Sequence, residues 1–238
     1  MEIPVAIISD WRGTAGQAIS IALARSGFSL LINGPEDEVI ALQSIDEGGK
    51  ILALPFDLTD ESSVREVLTT GIDMLGRVDV LINNPFVWND AKLHEITEDM
   101  WTEVLNHNLK GSFYCSRAVM PYMLAQRYGK IINVTSTSAF NGAHLQFAVS
   151  CAGVHSMTRS LARELAPAVR VNTVACGLVD EPWIDEGGPE LREMLTSDIL
   201  LKRLCRPDDV AEMVAVLATG CDFMTGQMIV LDGGESMR

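Results

Sequence analysis

Three residues with chemistry to offer fall on one predicted helix: His144, Cys151 and His155. Steps of seven and four residues bring them to roughly one helical face. An imidazole beside a thiol is the pairing that turns a cysteine into a nucleophile. A working nucleophile also needs a lowered thiol pKa and donors for an oxyanion, and the flanking sequence signals neither. Ordinary packing of the three side chains therefore stays open beside the nucleophilic reading. The five cysteines, at 115, 151, 176, 205 and 221, form no CxxC pair and no metal-ligand spacing with the four histidines, so no metal site is expected. Their odd number and scatter suit a reducing compartment and small buried apolar side chains.

The elements that must position such residues alternate along the chain. Short Val/Ile/Leu-rich runs recur at Val5–Ser9, Ser29–Asn33, Ile51–Leu54, Val78–Ile82, Lys130–Thr135, Val169–Val174 and Met228–Leu231. Nearly continuous apolar runs of this length suit parallel strands covered on both faces. Between them, amphipathic stretches at 15–26, 36–46, 60–75, 97–127, 145–166 and 207–219 are long enough for crossover helices. Thr97, Glu98 and Asp99 carry capping chemistry for one helix, and Pro207-Asp208-Asp209 for another. Right-handed crossovers assemble these pieces into one α/β domain over residues 1–238. The expected architecture is a Rossmann-like, doubly wound, seven-stranded parallel sheet flanked by helices on both faces. The first helix follows the first strand directly, so its free N–H groups offer donors to an anion. From Gly177 to about residue 200 the chain is rich in Gly, Pro and acids and reads as one long irregular segment of the lid type.

Composition narrows the partners. Hydrophobic residues at 47% and charged residues at 21% describe a globular chain. No apolar run approaches the roughly 18 residues of a membrane span. The N-terminus passes straight into a strand without a basic region or cleavage site, so a cytoplasmic protein is expected. A formal net charge of −14 argues against nucleic acid or anionic membrane as partners and does not steer a phosphate-bearing ligand inward.

Six segments in fixed order then carry a resemblance. They are Phe56-Asp57-Leu58-Thr59-Asp60 after the third strand, Asn83-Asn84 ending the fourth, and Trp101 through Gly111. Ile131 through Ser136, Val169 through Asn172, and Thr225-Gly226-Gln227 with Asp232-Gly233-Gly234 complete the set. On these the chain resembles the short-chain dehydrogenase/reductase family over essentially its whole length. The resemblance implies hydride transfer with NAD(P), with Asp57 contacting adenine, Asn108 as the active-site Asn and Ser136 as the catalytic Ser.

Set against the family pattern, several positions depart from it. The family's phosphate turn, T-G-x-x-x-G-x-G, aligns with Ser9-Asp10-Trp11-Arg12-Gly13-Thr14-Ala15-Gly16, and only Gly16 keeps its register. Thr14 adds a side chain where the cofactor would pass. Asp10 adds a carboxylate near two phosphates, and like charges about 4 Å apart repel by roughly 1 to 4 kcal/mol. Gly13 and Arg12 offer partial compensation through a shifted turn and a counter-charge. Asn33 gives neither the acid that selects NAD nor the base that selects NADP. On the catalytic helix, Phe147 and Cys151 stand at the positions of the family Tyr and Lys; halohydrin dehalogenases, on the same fold, still keep that Tyr. A phenyl ring has no exchangeable proton, and losing a positioned acid–base typically removes a factor of about 10² to 10⁴ in rate. Glu181 replaces the Thr that contacts the nicotinamide amide, and Cys176 replaces a Pro.

These departures lead to a stated set of expectations. The cofactor positions Ser9, Asp10, Thr14, Gly16, Asn33, Asp57 and Asn83 are degraded, so no cofactor is bound tightly, and NAD(P) if any. Ser136 and Asn108 are vestigial. The chain is expected to be a pseudoenzyme, similar to the non-catalytic structural or regulatory subunits of hetero-oligomeric family members. Its partner is then an active homologue, itself, or both, met through the helices at 97–127 and 145–166 with Phe113, Tyr114, Val119, Met120 and Met157. The alternative is a divergent enzyme on this scaffold. It would be a lyase, isomerase or hydrolase using Ser136, Asn108 and His144, or a weak NAD(P)-dependent oxidoreductase that replaces the Tyr by water or substrate groups.

Overall fold

In the computed structural model, which describes residues 2–43 and 49–237, the short apolar runs become strands because both of their faces are covered. Every residue of Val5–Ile8 (β1), Ser29–Ile32 (β2) and Val80–Asn83 (β4) is buried. With Ile51–Ala53 (β3), Gly129–Ser136 (β5), Val169–Cys176 (β6) and Met228–Leu231 (β7) they form one parallel seven-stranded sheet, ordered β3-β2-β1-β4-β5-β6-β7. The sheet matches the expected architecture. Strand order reverses between β1 and β4, so the loops leaving their carboxyl ends diverge and open a crevice.

Alternate strand residues feed two cores. On one face Ala6, Ile8, Leu30 and Ile32 pack with Ile19 and Leu23 of α1 (Gly13–Arg25), Val39 of α2 (Glu36–Gln43) and Val214 of α10 (Pro207–Thr219). On the other, Ile7, Leu31, Leu81 and Ile131 pack with Leu68 of α3 (Glu61–Leu75), Val119 of α5 (Gly111–Gln126) and Leu165 of α7 (Leu145–Leu165). The predicted end of the second helix, beyond 43, lies outside the described residues. Val119, expected at an interface, belongs to this core, whereas Phe113 on the same helix is 38% exposed.

Two expectations are corrected. The single helix predicted over 97–127 is α4 (Glu98–Leu105), capped by Thr97 Oγ1 accepting from the Met100 amide, then a wide π-turn at Asn106–Lys110, then α5. A π-turn inserts a residue into the helical repeat, a device common at functional sites. Here it carries the buried Asn108. The segment predicted as irregular holds two short helices, α8 (Pro182–Glu186) and α9 (Gly188–Thr196), each with Pro in its first turn. Proline and acids there are helix-start residues rather than loop formers. Ile184, Ile199 and Leu204 close a small core of their own beneath it, joined by Leu178 and Leu195. A further short helix, α6 (Ser138–Asn141), follows β5. No helix among the described residues is long and apolar enough to cross a membrane.

Candidate active site

The turn between β1 and α1 is built around two glycines. Gly13 sits at φ +80°, a conformation L side chains rarely adopt. A Cβ on Gly16 would lie 2.6 Å from the Asp10 carbonyl oxygen, so only glycine lets α1 start this close to the turn. Asp10 is buried, and its Oδ1 accepts from the Arg12 amide and Nε, both at 3.0 Å. Its Oδ2 accepts from Arg12 Nη2 at 3.1 Å and stands 3.5 Å from His107 Nε2. Burial alone would raise the Asp10 pKa; hydrogen bonds from His107 and Arg12 outweigh it and hold the carboxyl below its ordinary range. The expected repulsion of phosphates by Asp10 is thus largely cancelled within the turn.

At the start of α1, Glu181 Oε1 accepts from Thr14 Oγ1 at 2.7 Å and from the Thr14 amide at 3.3 Å. This donor set already seats an anionic oxygen, with the lid's own carboxylate standing in for one. Beside it, Trp11 Nε1 is buried without a hydrogen-bond partner among the described residues. The Trp11 side chain lies on Gly34, just past β2, with Cδ1 3.3 Å from where a Cβ would be. A donor set that already seats an anionic oxygen fits a phosphate-bearing cofactor.

The remaining predicted cofactor residues divide by role. Asn33 Nδ2 donates to the Ser9 carbonyl and its Oδ1 accepts from the Phe56 amide, both at 2.9 Å. It ties β1 to the segment after β3, which accounts for an amide where the family signals an acid or a base. Asp57 Oδ1 accepts from the Thr59 amide and hydroxyl, both at 2.8 Å, and the backbone bond leads in lowering its pKa. Ser9 Oγ accepts from the Asn84 amide at 3.1 Å. Asn83 is fully buried, donating to Asn133 Oδ1 at 2.8 Å and to Ser116 Oγ at 3.1 Å, so it binds sheet to helix.

Ser136 ends β5. Its Oγ accepts from the Ser138 amide at 3.1 Å and shares a 3.0 Å hydrogen bond with Ser138 Oγ. Sequence reasoning missed Ser138; the repeated hydroxyls of Thr135-Ser136-Thr137-Ser138 were the available signal. Asn108 Oδ1 accepts from the Val87 amide at 2.9 Å, while Nδ2 donates to the Val87 carbonyl at 2.8 Å and Ser150 Oγ at 3.2 Å. Phe147 is buried with its ring edge-on to Phe86 at 4.9 Å. A cavity of about 10 Å³, lined by Phe86, Asn108, Phe147, Ser150 and Cys151 among others, leaves room for about one water.

The thiol–imidazole set is not assembled. Burial pushes the Cys151 thiol up to about 11, against hydrogen bonding with the Ser136 backbone and Ser150, so it stays protonated at neutral pH. His155 Nε2 pairs with Thr135 Oγ1 at 2.8 Å, and burial, with Arg159 behind it, lowers its pKa to about 4. His144, at φ 57° before α7, faces Asp90 at 3.4 Å, and its ring lies tilted against Trp88 with centroids 4.8 Å apart. Trp88 in turn approaches Trp183 of the lid at 6.4 Å.

Comparison with known proteins adds the function class. A family model described as enoyl-(acyl carrier protein) reductase matches residues 13–236. The chain is 35% identical over 241 residues to a 3-oxoacyl-[acyl-carrier-protein] reductase of Thermotoga maritima, covering 98% of each protein. It is 32% identical to the (2S)-[(R)-hydroxy(phenyl)methyl]succinyl-CoA dehydrogenase subunit BbsD of Thauera aromatica, over 98% of this chain and 96% of that one. A crystal structure described as a short-chain alcohol dehydrogenase from Sinorhizobium meliloti 1021 superimposes with a TM-score of 0.90 at 25% identity, covering 99% and 97% of the two chains. The expectation of a non-catalytic subunit in a hetero-oligomer is overturned by the relatives named as 3-oxoacyl-[acyl-carrier-protein] reductases, that of Thermotoga maritima and one of Staphylococcus epidermidis that is 33% identical over 93% of this chain. That expectation took the loss of the Tyr and Lys, with the altered phosphate turn and lid contact, for the loss of the reaction, although the crevice and its hydroxyl and anion-accepting groups persist. Matched from Gly13 to Ser236 and superimposing over nearly its whole length on a short-chain alcohol dehydrogenase structure, the chain belongs to the short-chain dehydrogenase/reductase family.

Proposed function

We propose that the protein is an NAD(P)-dependent oxidoreductase interconverting a carbonyl and an alcohol on an acyl thioester, with a serine pair at the end of β5 taking over the proton handling that the family gives to its tyrosine. The observation that carries this is the anion seat at the start of α1, in the crevice between β1 and β4 where α/β sheets bind ligands. The thioester rests on the relatives' names, which speak of acyl carrier protein and of CoA. The Thr14 amide and hydroxyl, with the Arg12 guanidinium, would hold the cofactor phosphates. Once bound, the nicotinamide supplies or accepts the hydride.

This chain's residues do the rest. Ser136 Oγ and Ser138 Oγ, 3.0 Å apart, form a hydroxyl pair at the end of β5 that orients the substrate oxygen and holds a proton beside it. Asn108 fixes the loop after β4 to α7, and the Phe86 and Phe147 rings pack edge-on beside that joint. A serine hydroxyl is a far weaker acid than a tuned phenol, so turnover is slower than in a tyrosine-bearing relative by a factor of about 10² to 10⁴. The protonated Cys151 thiol speaks against a hydrolase built on that cysteine. The free cysteines accord with a reducing, cytoplasmic location. Self-association accords with an outer apolar stripe on α5, where Phe113 is 38% and Leu124 41% exposed.

The test is titration with NADH and NADPH followed by single-turnover reduction of acetoacetyl-CoA. Submillimolar binding and slow reduction are expected, with Ser136→Ala cutting the rate at least tenfold while leaving the dinucleotide affinity unchanged. Absence of both binding and reduction overturns the proposal.

A further inference from the structure

Glu181 stands at the N-cap of α8, just ahead of the lid's first helix, yet its side chain caps nothing in that helix. It reaches 167 residues back along the sequence to close on the Thr14 amide and hydroxyl at the start of α1. The amide is one of the N–H groups that this 13-residue helix leaves without a partner of its own, and the helix dipole favours negative charge at this end. Gly13, at its positive φ, has Glu181 Oε1 as its nearest neighbour, 3.8 Å from where a Cβ would stand. The carboxylate therefore lies in the seat that the previous section assigns to a cofactor phosphate.

The lid that carries it is a small unit of its own. Ile184, Ile199 and Leu204 form a core separate from the two that pack against the sheet. Arg192 fastens Asp180 and Asp185 within the lid, at 2.8 and 2.7 Å. Across the crevice, Glu181 meets Thr14 on one side and Trp183 faces Trp88 on the other. Only the first of these is a charged contact, and it uses the donors an incoming anion needs.

We infer that Glu181 is a tethered competitor, a carboxylate that latches the lid shut on the α1 anion seat and must be evicted before a phosphate-bearing ligand can bind. Occupancy of the seat and opening of the lid are then one equilibrium, and Glu181 sets the affinity threshold of the site. This rests on the dinucleotide reading for its physiological ligand, but the seat itself is tested with a simpler anion.

Inorganic pyrophosphate, NADH and NADPH are titrated calorimetrically into the wild type, Glu181→Gln, Glu181→Ala and Asp185→Asn. Trypsin cleavage at Arg192, Lys202 and Arg203 reports lid opening in parallel. Both Glu181 variants are expected to bind pyrophosphate about tenfold more tightly or better, since a carboxylate within about 4 Å of the incoming charge is removed. Asp185→Asn, which removes an equal lid charge away from the seat, is expected to leave that affinity within twofold. Pyrophosphate should speed cleavage of the wild-type lid towards the rate of Glu181→Gln. Unchanged pyrophosphate affinity in both Glu181 variants, equal tightening by Asp185→Asn, or a lid indifferent to pyrophosphate each overturns the inference. Tightened pyrophosphate binding without binding of either dinucleotide upholds the latch and removes the cofactor reading instead.

Discussion

Phe147 and Cys151 occupy their seats as packing residues, and that decides what single substitutions can do. Both are buried, the Phe147 ring rests on Phe86, and the cavity beside them holds about 10 Å³. Installing the family pair as Phe147→Tyr/Cys151→Lys pushes a long cation into a site with room for about one water. Overpacking by this amount costs about 1 to 3 kcal/mol, and the unpaired buried charge adds to it. The double variant is expected to unfold at lower urea and to turn over no faster, measured by denaturation midpoint and single-turnover rate. His155 makes a second prediction. Its pKa is about 6.5 unfolded and about 4 folded, so the folded state prefers the neutral ring. Between those values the unfolded chain binds more protons; stability from this group is full above about pH 6.5 and falls as pH drops towards 4, by on the order of 3 kcal/mol. Urea midpoints measured from pH 7 to 4.5 should fall steeply in the wild type and less steeply in His155→Gln. At this scale the sequence named the site residues Ser136, Asn108, Asp10 and Glu181 and, of their partners, only Arg12. Whether Asp10 repels a ligand depends on Arg12 and His107, and His107 lies 97 residues away.

Among the elements, the helices that pack along their whole length were legible, because their apolar spacing reports the face they bury. α7 and α10 lie within a residue of their predicted bounds. The break between α4 and α5 was not legible, since a π-turn changes the backbone count without changing residue types. Its consequence is concrete: the turn holds Asn108 where one amide makes two bonds to Val87 and one to Ser150. That side chain is the clamp between the loop after β4 and the start of α7. Asn108→Ala leaves the Val87 backbone groups without these partners, at a cost of about 2 to 3 kcal/mol. Hydrogen exchange should show the Val87 amide losing its protection while amides of β1 and β5 keep theirs. Asn108→Asp, which can still accept from Val87 but no longer donates, should fall between the two. Equal protection of Val87 in all three proteins would mean that the loop is held by something other than the clamp.

For the molecule as a whole, the single parallel seven-stranded sheet was predictable from the alternation of strands and helices, whereas the proposed surface for a second copy depends on which apolar side chains the core leaves over. On α5 the inner face is spent on Cys115, Val119 and Met123, all fully buried. Phe113 and Leu124, eleven residues and about three helical turns apart, share an outer face left exposed, whereas Met120 between them packs against the core. A helix apolar on both sides is one that expects a second neighbour. Opposing this is the charge of −14 on each copy, whose repulsion is long-ranged in dilute salt and screened within about 10 Å at 0.1 M. Association should therefore strengthen with ionic strength, unlike an interface held by ion pairs, which would weaken. Sedimentation equilibrium is expected to give a mass that rises from low salt to about 0.5 M salt. Phe113→Glu/Leu124→Glu should remain monomeric throughout, with an unchanged denaturation midpoint because neither residue belongs to a core. A double variant that associates like the wild type would place the interface on another face. A mass that falls with salt would show charge, not the apolar stripe, to be what joins the copies.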